Sequence, residues 1–549
     1  MLPIFWTFLI QEPHKLHYSY AIAKKGTFMN SISSIIAGKK NLGTNYFSSF
    51  NPSNNEDTLG TFSNATKEEC IEACKVARSG LEQWKKTPAP VRAGIISNLA
   101  KLIEKNKESL SQVLTREMGK PIKEARGDVQ EAIDTCYFFI SEGRRLYGQT
   151  VPSEMSNKEL YTYRRPVGVF ACITAGNFPV AVPSWYFIPA LICGNTCVWK
   201  PSEDTPLVSL IFSELLYAAG VPKNVFQVVF GTGPQTGAEL ISLVNDGLID
   251  KVGFTGSTQV GRLIGEICGR NLQTPCLELG GKNPLVIMPD ADLDLAVNGI
   301  LWSGFGTAGQ RCTSLGNLII HKSVKETLIS KILNKVNDFS IGEPTNENNF
   351  YGPMISERFL NKHLENLECL IKPHHKLLTS KNGKITSQNK NHKFNGNADT
   401  GYYAFPSIVD NVQENDEIYS TETFGPLFNI LTFNSIEEAI YLSNKTGYGL
   451  SSAIYTSDIQ AAYKFKTEIS AGMTSINNST TGAEAHLPFG GNGKSGNGSR
   501  QSGIWVIDQF TKWQAVNWDM SGKLQLAQMD TNYINPTDYT VSVDKYILQ

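Results

Sequence analysis

The sequence predicts an α/β protein built on a doubly wound parallel sheet, with a second α/β region after it and a small β element. Two observations carry the main part of that reading. Between residues 167 and 290, short apolar runs alternate with helical stretches, the pattern of a parallel sheet covered on both faces. Strand-like runs then continue beyond Gly281, at Leu318–His321 and near Ile430–Phe433. A third observation adds the β element: Val151–Pro166 is extended in character and rich in Tyr (ELYTYRRP).

Taken in order, Thr66 and Glu69 form a capping box, so a helix opens there. Ile95, Ile96, Leu99, Leu102 and Ile103 then share one face of a second helix. The runs VGVFACIT, TCVWK, FQVVF, KVGF and PLVIM read as buried strands, separated by helices that include Pro206–Ala219 and Val260–Gly269. Thr379–Thr400 is rich in Asn, Lys and Gly without apolar periodicity and reads as an exposed loop.

Composition narrows the function. With 549 residues and 41% apolar content, the chain is long enough for two or more cores. A net charge of −1 leaves no field to draw in nucleic acid or an anionic membrane, so neither is an expected partner. Ten cysteines without a framework favour reduced thiols and an intracellular, cytoplasmic setting, with the mitochondrial matrix as the alternative. Cys193 and Cys197 sit in an apolar run and read as core, and the eight histidines show no ligand spacing, so no metal is expected.

No stretch is apolar for long enough to span a bilayer. Residues 2–10 (LPIFWTFLI) are apolar but lack a basic flank, and Pro13 to Asn55 contains no Asp or Glu and no Arg. Residues 1–45 are therefore expected to be an extension outside the fold, which a start at Met29 would largely remove.

Four motifs carry chemistry. In FTGSTQVGR (254–262) a strand runs into Gly256 and a helix opens with an expected apolar face of Val260, Leu263, Ile264 and Ile267. Gly256 and Gly261 permit close backbone approach, and free amides at a helix start attract phosphate. In VWKPSEDTP (198–206) Lys200 ends a buried strand, where its ammonium suits a ribose hydroxyl or phosphate and Glu203 suits ribose hydroxyls. LELGGK (277–282) places Glu278 between apolar neighbours, which disfavours its charge and makes it a base poised nearer neutral pH. GQRCTS (309–314) places Cys312 in a small-residue stretch as a nucleophile, with Arg311 expected to lower its pKa. Each motif alone also fits a bland reading: a simple turn, a solvated strand end, a buried cysteine.

Together they occur in one order: TAGNFP (174–179), VWKPSEDTP, FTGSTQVG, LELGGK, GQRC, ETFGP (422–426) and PFGG (488–491). With that set, the chain resembles the aldehyde dehydrogenase superfamily from roughly Asn51 to Asp530. The resemblance implies Cys312 as nucleophile, Glu278 as the base that activates water, and Asn177 as an oxyanion donor beside the Cys312 amide. It implies Lys200 and Glu203 as adenosine-ribose ligands, Gly256, Ser257 and Gly261 as the pyrophosphate turn, and Glu422 and Phe424 at the nicotinamide. NAD is the implied cofactor, preferred over NADP because Glu203 would repel a 2′-phosphate. Two local departures are Ala175–Gly176 in TAGNFP and one extra residue in GNGSRQSG (496–503).

The same resemblance divides the chain. Residues 46–146 and 168–280 would bind NAD, and 281–497 would form the catalytic domain. Residues 147–167 and 498–549 would give an oligomerisation element and tail, in a homodimer or homotetramer. GTAGQRCT, VQEAID (129–134) and TGAE (481–484) are similar to the antiquitin-like and bacterial semialdehyde dehydrogenase branch. That branch implies Glu131, Arg311, Gly482 and Ala483 as contacts for α-aminoadipic semialdehyde, a carboxylate for an ammonium and donors for a carboxylate. His486 departs from it. Two other classes stay open: a CoA-acylating semialdehyde dehydrogenase, against which Glu278 argues, and a non-catalytic homologue, against which the intact Cys312, Glu278 and Asn177 argue.

Overall fold

The computed structural model describes residues 31–40, 45–526 and 528–529. Two seven-stranded sheets carry the two halves of the chain. In the first, the parallel strands Val169–Ile173, Thr196–Lys200 and Phe226–Val228 are laid down in one direction. Lys251–Thr255 and Cys276–Glu278 are added on the other side of Val169–Ile173. The order of addition therefore reverses between Val169–Ile173 and Lys251–Thr255, and such a reversal opens a crevice at the carboxyl ends of the strands. Every residue of the three strands laid down first is buried, which is why they read as unbroken apolar runs.

One strand was assigned to the wrong sheet by its sequence. PLVIM is most of the strand Asn283–Ile287, which pairs with Leu315–His321 and Ser451–Tyr455 in the second sheet. The fifth parallel strand of the first sheet is instead Cys276–Glu278. It is too short to show a period, and Gly280–Gly281 turns the chain from one sheet to the other within the motif that follows it. The second sheet runs on through the strands Leu427–Phe433 and Ser407–Asp410, with an antiparallel edge at Lys376–Leu377.

The expectation that residues 1–45 stand outside the fold fails for residues 31–40. Ile35–Ile36 pairs antiparallel with Lys39–Lys40 and, through Ile35, with Val228, extending the first sheet. Ile35 and Ile36 are 5% and 3% exposed, and two buried isoleucines are enough to seat a strand whose basic, acid-free surroundings read as a leader. The apolar run 2–10 and Met29 lie outside the described residues.

Two helices follow their sequence signals closely. The Thr66–Glu69 capping box forms, with both reciprocal bonds, at the start of the helix Lys67–Trp84. Pro206–Ala219 is helical over that span. The helix Thr258–Arg270 has a different buried face from the one expected: Gly261, Ile264 and Cys268 are buried, while Val260 and Leu263 are 41% and 56% exposed. Gly261 packs so tightly on Leu279 that a Cβ there would lie 2.4 Å from its side chain, so the glycine decides the rotation of the helix. Residues 379–400 form a loop, but not a freely solvated one. Ile385 is fully buried, and Lys384 and Phe394 make bridges to Ala404 and Ile341.

A third sheet joins the strands Thr150–Val151, Lys158–Pro166 and Thr511–Asp519 antiparallel. It thereby ties the segment 147–167 to the C-terminal region across more than 300 residues of chain. Among the described residues no helix is long and apolar enough to cross a membrane.

Candidate active site

A cavity of about 700 Å³ opens at the strand reversal, between the two sheets. Cys312, Glu278 and Asn177 line it, and so do Gly256, Glu422 and Phe424. Cys312 stands after the helix Leu293–Phe305, beyond a turn in which Thr307, Ala308 and Gly309 all have left-handed backbone (φ 52°, 53° and 72°). Two of those residues carry a Cβ, so the turn is strained by about 1–3 kcal/mol at each unless its surroundings hold it.

Several side chains do hold it. Asn177, just beyond the strand Val169–Ile173, donates its amide to the Gln310 carbonyl at 3.0 Å. Gln310 is fully buried, donates to Thr307 O and accepts from Ile355 N. From the other side, Asn283 donates to the carbonyls of Cys312 and Ser314 at 2.8 and 2.7 Å. Asn177 still has a second N–H, and it lies beside the Cys312 loop, where an oxyanion formed on that sulfur's adduct would need a donor.

The electrostatics are set by burial. Burial and then the nearby Glu422 carboxyl push Glu278 well above the ordinary carboxyl range, and the Cys312 thiol offsets only a little of this. Both Glu278 oxygens are buried, with no partner of good hydrogen-bond geometry among the described residues. Burial, then Glu278 and Glu422, raise the Cys312 thiol well above its usual value as well. Arg311 does not counter this, against expectation. Its guanidinium is paired with Glu124 and stacked 4.2 Å over Trp302, and it has no part in the thiol's shift. Cys312 therefore rests as the neutral thiol.

Of the remaining motif residues, Gly256, Ser257, Glu422 and Phe424 line the same cavity, whereas Lys200, Glu203 and Gly261 are not among its lining residues. Lys200, 2% exposed at the end of its strand, pairs with Glu203 at 3.2 Å. Burial alone would raise the Glu203 carboxyl, but Lys200, with Arg358 4.0 Å away, holds it below the ordinary range. Ser257 caps the helix Thr258–Arg270 by accepting from Val260 N, so its first amides open beside Gly256. Glu422 accepts from Gly281 N at 3.1 Å, and burial pushes it up to about 7. Gly280 is backed so closely by that carboxylate that a Cβ there would lie 1.8 Å from it. Glu131, Arg311, Gly482 and Ala483 also line the cavity.

Comparison with known proteins decides the family. The aldehyde dehydrogenase family model matches residues 39–516. The chain belongs to the aldehyde dehydrogenase family. It is 34% identical over 466 residues to the α-ketoglutaric semialdehyde dehydrogenase of Bacillus subtilis, covering 85% of this chain and 93% of that one. It is 33% identical over 496 residues to aldehyde dehydrogenase family 7 member A1 of Malus domestica, covering 90% and 94%. The crystal structure of Staphylococcus aureus betaine aldehyde dehydrogenase in complex with NAD+ superposes with a TM-score of 0.84 at 27% identity, covering 90% of this chain and 95% of that one.

Sequence reasoning missed Glu124, Asn283, Trp185, Trp302, Arg358 and Lys282. Lys282 is buried without a hydrogen-bond partner among the described residues, and burial lowers it to about 7. The histidines also include one grouping that spacing did not reveal: ligand atoms of His374, His375 and Asp416 lie within 4.8 Å of one another. His375 Nδ1 accepts the Lys372 N–H, so its ring proton sits on Nε2 and donates to Asp416 at 2.8 Å. A ligating histidine needs the opposite tautomer, with its second nitrogen donating. The group closes a loop.

The raised thiol has a measurable consequence. Without cofactor, alkylation of Cys312 by a neutral reagent should climb steadily from pH 7 to 10, because the thiolate fraction keeps growing below the raised pKa. A plateau reached below pH 8, followed by peptide mapping of Cys312, would show an activated thiolate instead.

Proposed function

We propose that this enzyme oxidises an amino-acid semialdehyde to the carboxylate, with NAD as acceptor, through a thioester on Cys312. The observation that carries the substrate reading is Glu131. It stands in the cavity wall with Trp185, whose ring packs 4.6 Å from Phe489, and its Oε1 is buried without a partner of good geometry among the described residues. A carboxylate in the wall of a cavity that aromatic residues also line suits an ammonium group. Gly482 and Ala483 offer amides for the substrate carboxylate, while Arg311 is engaged by Glu124. Relatives named for α-ketoglutaric semialdehyde and for succinate semialdehyde support a semialdehyde substrate.

In this reading the first half of the chain, 46–146 and 168–280, holds NAD, and 281–497 carries the nucleophile. The cofactor fits the residues present: Lys200 and Glu203 for the adenosine ribose, the Gly256–Ser257 turn and Gly261 for the pyrophosphate, Glu422 and Phe424 for the nicotinamide end. When bound, its oxidised ring supplies a two-electron acceptor. The segment 147–167 and the strand Thr511–Asp519, with Trp513 and Trp518 about half exposed, form the oligomerisation element of a homodimer or homotetramer.

The chain's own residues then divide the work. Cys312 sulfur adds to the aldehyde carbon as its proton passes to solvent, and Asn177 with the Cys312 amide takes the oxyanion, an effect worth about 3 kcal/mol per donor. Loss of the carbon's hydrogen with its electron pair leaves the Cys312 thioester. Glu278, once ionised, removes a proton from water, the hydroxide adds to the thioester carbon, and the Cys312 thiolate leaves as the acid is released. Burial that makes Glu278 hard to ionise also makes it a stronger base at the moment it acts.

Two outcomes are expected. Burial, with Asp128, pushes Glu131 up to about 8, so at neutral pH it is largely protonated and must lose that proton to meet an ammonium. The ratio of kcat/KM for α-aminoadipic over glutaric semialdehyde should rise as pH increases from 6.5 to 8.5 and become flat in Glu131→Gln. Equal use of both substrates at every pH would remove the amino-acid reading. For the cofactor, wild type should favour NAD over NADP in kcat/KM, and Glu203→Ser should narrow that preference, since like charges at about 4 Å cost about 1 kcal/mol even in water. An NADP-preferring wild type would contradict it.

A further inference from the structure

One carboxylate at the seam between the two halves stands apart from the reacting groups. Glu124 lies in the first turn of the helix Ile122–Glu142, yet its partners are 183 to 187 residues away. Its Oε1 accepts from Thr307 N at 3.0 Å, and its Oε2 accepts from both the Thr307 hydroxyl and Arg311 Nη2. The side chains of Glu124 and Arg311 are each 6% exposed. Thr307 opens the left-handed turn that presents Cys312, and Arg311 is the residue before the nucleophile.

The guanidinium is thereby committed. One Nη2 bond goes to Glu124, Nε goes to the Thr307 hydroxyl, and one face lies against Trp302. Burial raises the Glu124 carboxyl, but Arg311 and the Thr307 donors outweigh it, so the pair is ionic. An ionic pair presents a dipole to the cavity, whereas a lone buried guanidinium would present a full positive charge and a fork matched to a carboxylate.

We propose that Glu124 is a positioning and specificity-determining residue: it anchors the nucleophile's turn through Thr307 and holds Arg311 as a structural strut, so that Arg311 is not the receptor for a substrate carboxylate. This rests on Cys312 being the nucleophile, and it assigns carboxylate discrimination to the Glu124–Arg311 pair. Freed from Glu124, Arg311 would turn the cavity toward acidic aldehydes, while the loosened turn would slow the chemistry for every aldehyde.

The test compares glutaric semialdehyde with pentanal, which match in chain length and differ in the carboxylate. In Glu124→Gln, kcat should fall for both, and the kcat/KM ratio of acid to neutral aldehyde should rise at least tenfold through a lower KM for the acid. A structural role alone would lower both equally and leave the ratio unchanged, and that result overturns the proposal; a receptor role for Arg311 is separated from it by the double variant. The double variant Glu124→Gln/Arg311→Gln leaves no unpaired charge, so it decides the matter if the single variant does not fold. It should keep the wild-type ratio, and a selective loss of at least tenfold for the acid overturns the proposal. NAD affinity, read by quenching of tryptophan fluorescence, should stay within twofold of wild type in both. A wild type inactive on every aldehyde would instead remove the functional reading beneath.

Discussion

A thiol and two carboxyls share one water-poor cavity, and their mutual desolvation is the constraint around which the site is arranged. Cys312, Glu278 and Glu422 each hold their protons more tightly than in water: burial raises all three, Glu422 further raises Glu278 and Cys312, and Glu278 further raises Cys312. Charge can therefore enter the cavity only where something offsets it. A substrate carbonyl that accepts the thiolate, a water that brings solvation to Glu278, and a cationic nicotinamide are such offsets. Burial thus keeps the Cys312 thiol protonated until such a group enters the cavity.

The same low polarity makes geometry more important than charge in presenting Cys312. Three amide and carboxylate side chains from separate parts of the chain, Asn177, Asn283 and Glu124, all fasten the loop around Cys312. Asn177 and Glu124 come from the first half of the chain. The seam between the sheets is therefore where the strain of the left-handed turn is met, and where a change in one half would be felt in the other.

The fold was largely legible because strands covered on both faces leave unbroken apolar runs. What could not be read was short or long-range. Cys276–Glu278 is too brief to show a period, and the strand at Ile35 was hidden by the composition around it. The rotation of Thr258–Arg270 followed from the fit of Gly261 against Leu279, which an apolar count overlooks. For the site, ordered motifs led to Cys312, Glu278 and Asn177, which do line one cavity. Glu124 carries no motif of its own, since its partners are brought to it only by the meeting of the two sheets. The position of Arg311 beside Cys312 in sequence misled for the same reason: adjacency along the chain says nothing about which way a guanidinium turns.

The proposed reaction turns on a covalent acyl intermediate on Cys312 that Glu278 resolves. Rapid mixing of Glu278→Gln with NAD and an aldehyde, with quenched samples analysed by peptide mass, tests it most directly. A burst approaching about one NADH per subunit, slow turnover afterwards, and the acyl mass on the Cys312 peptide are expected. Unimpaired steady turnover without that adduct would contradict it.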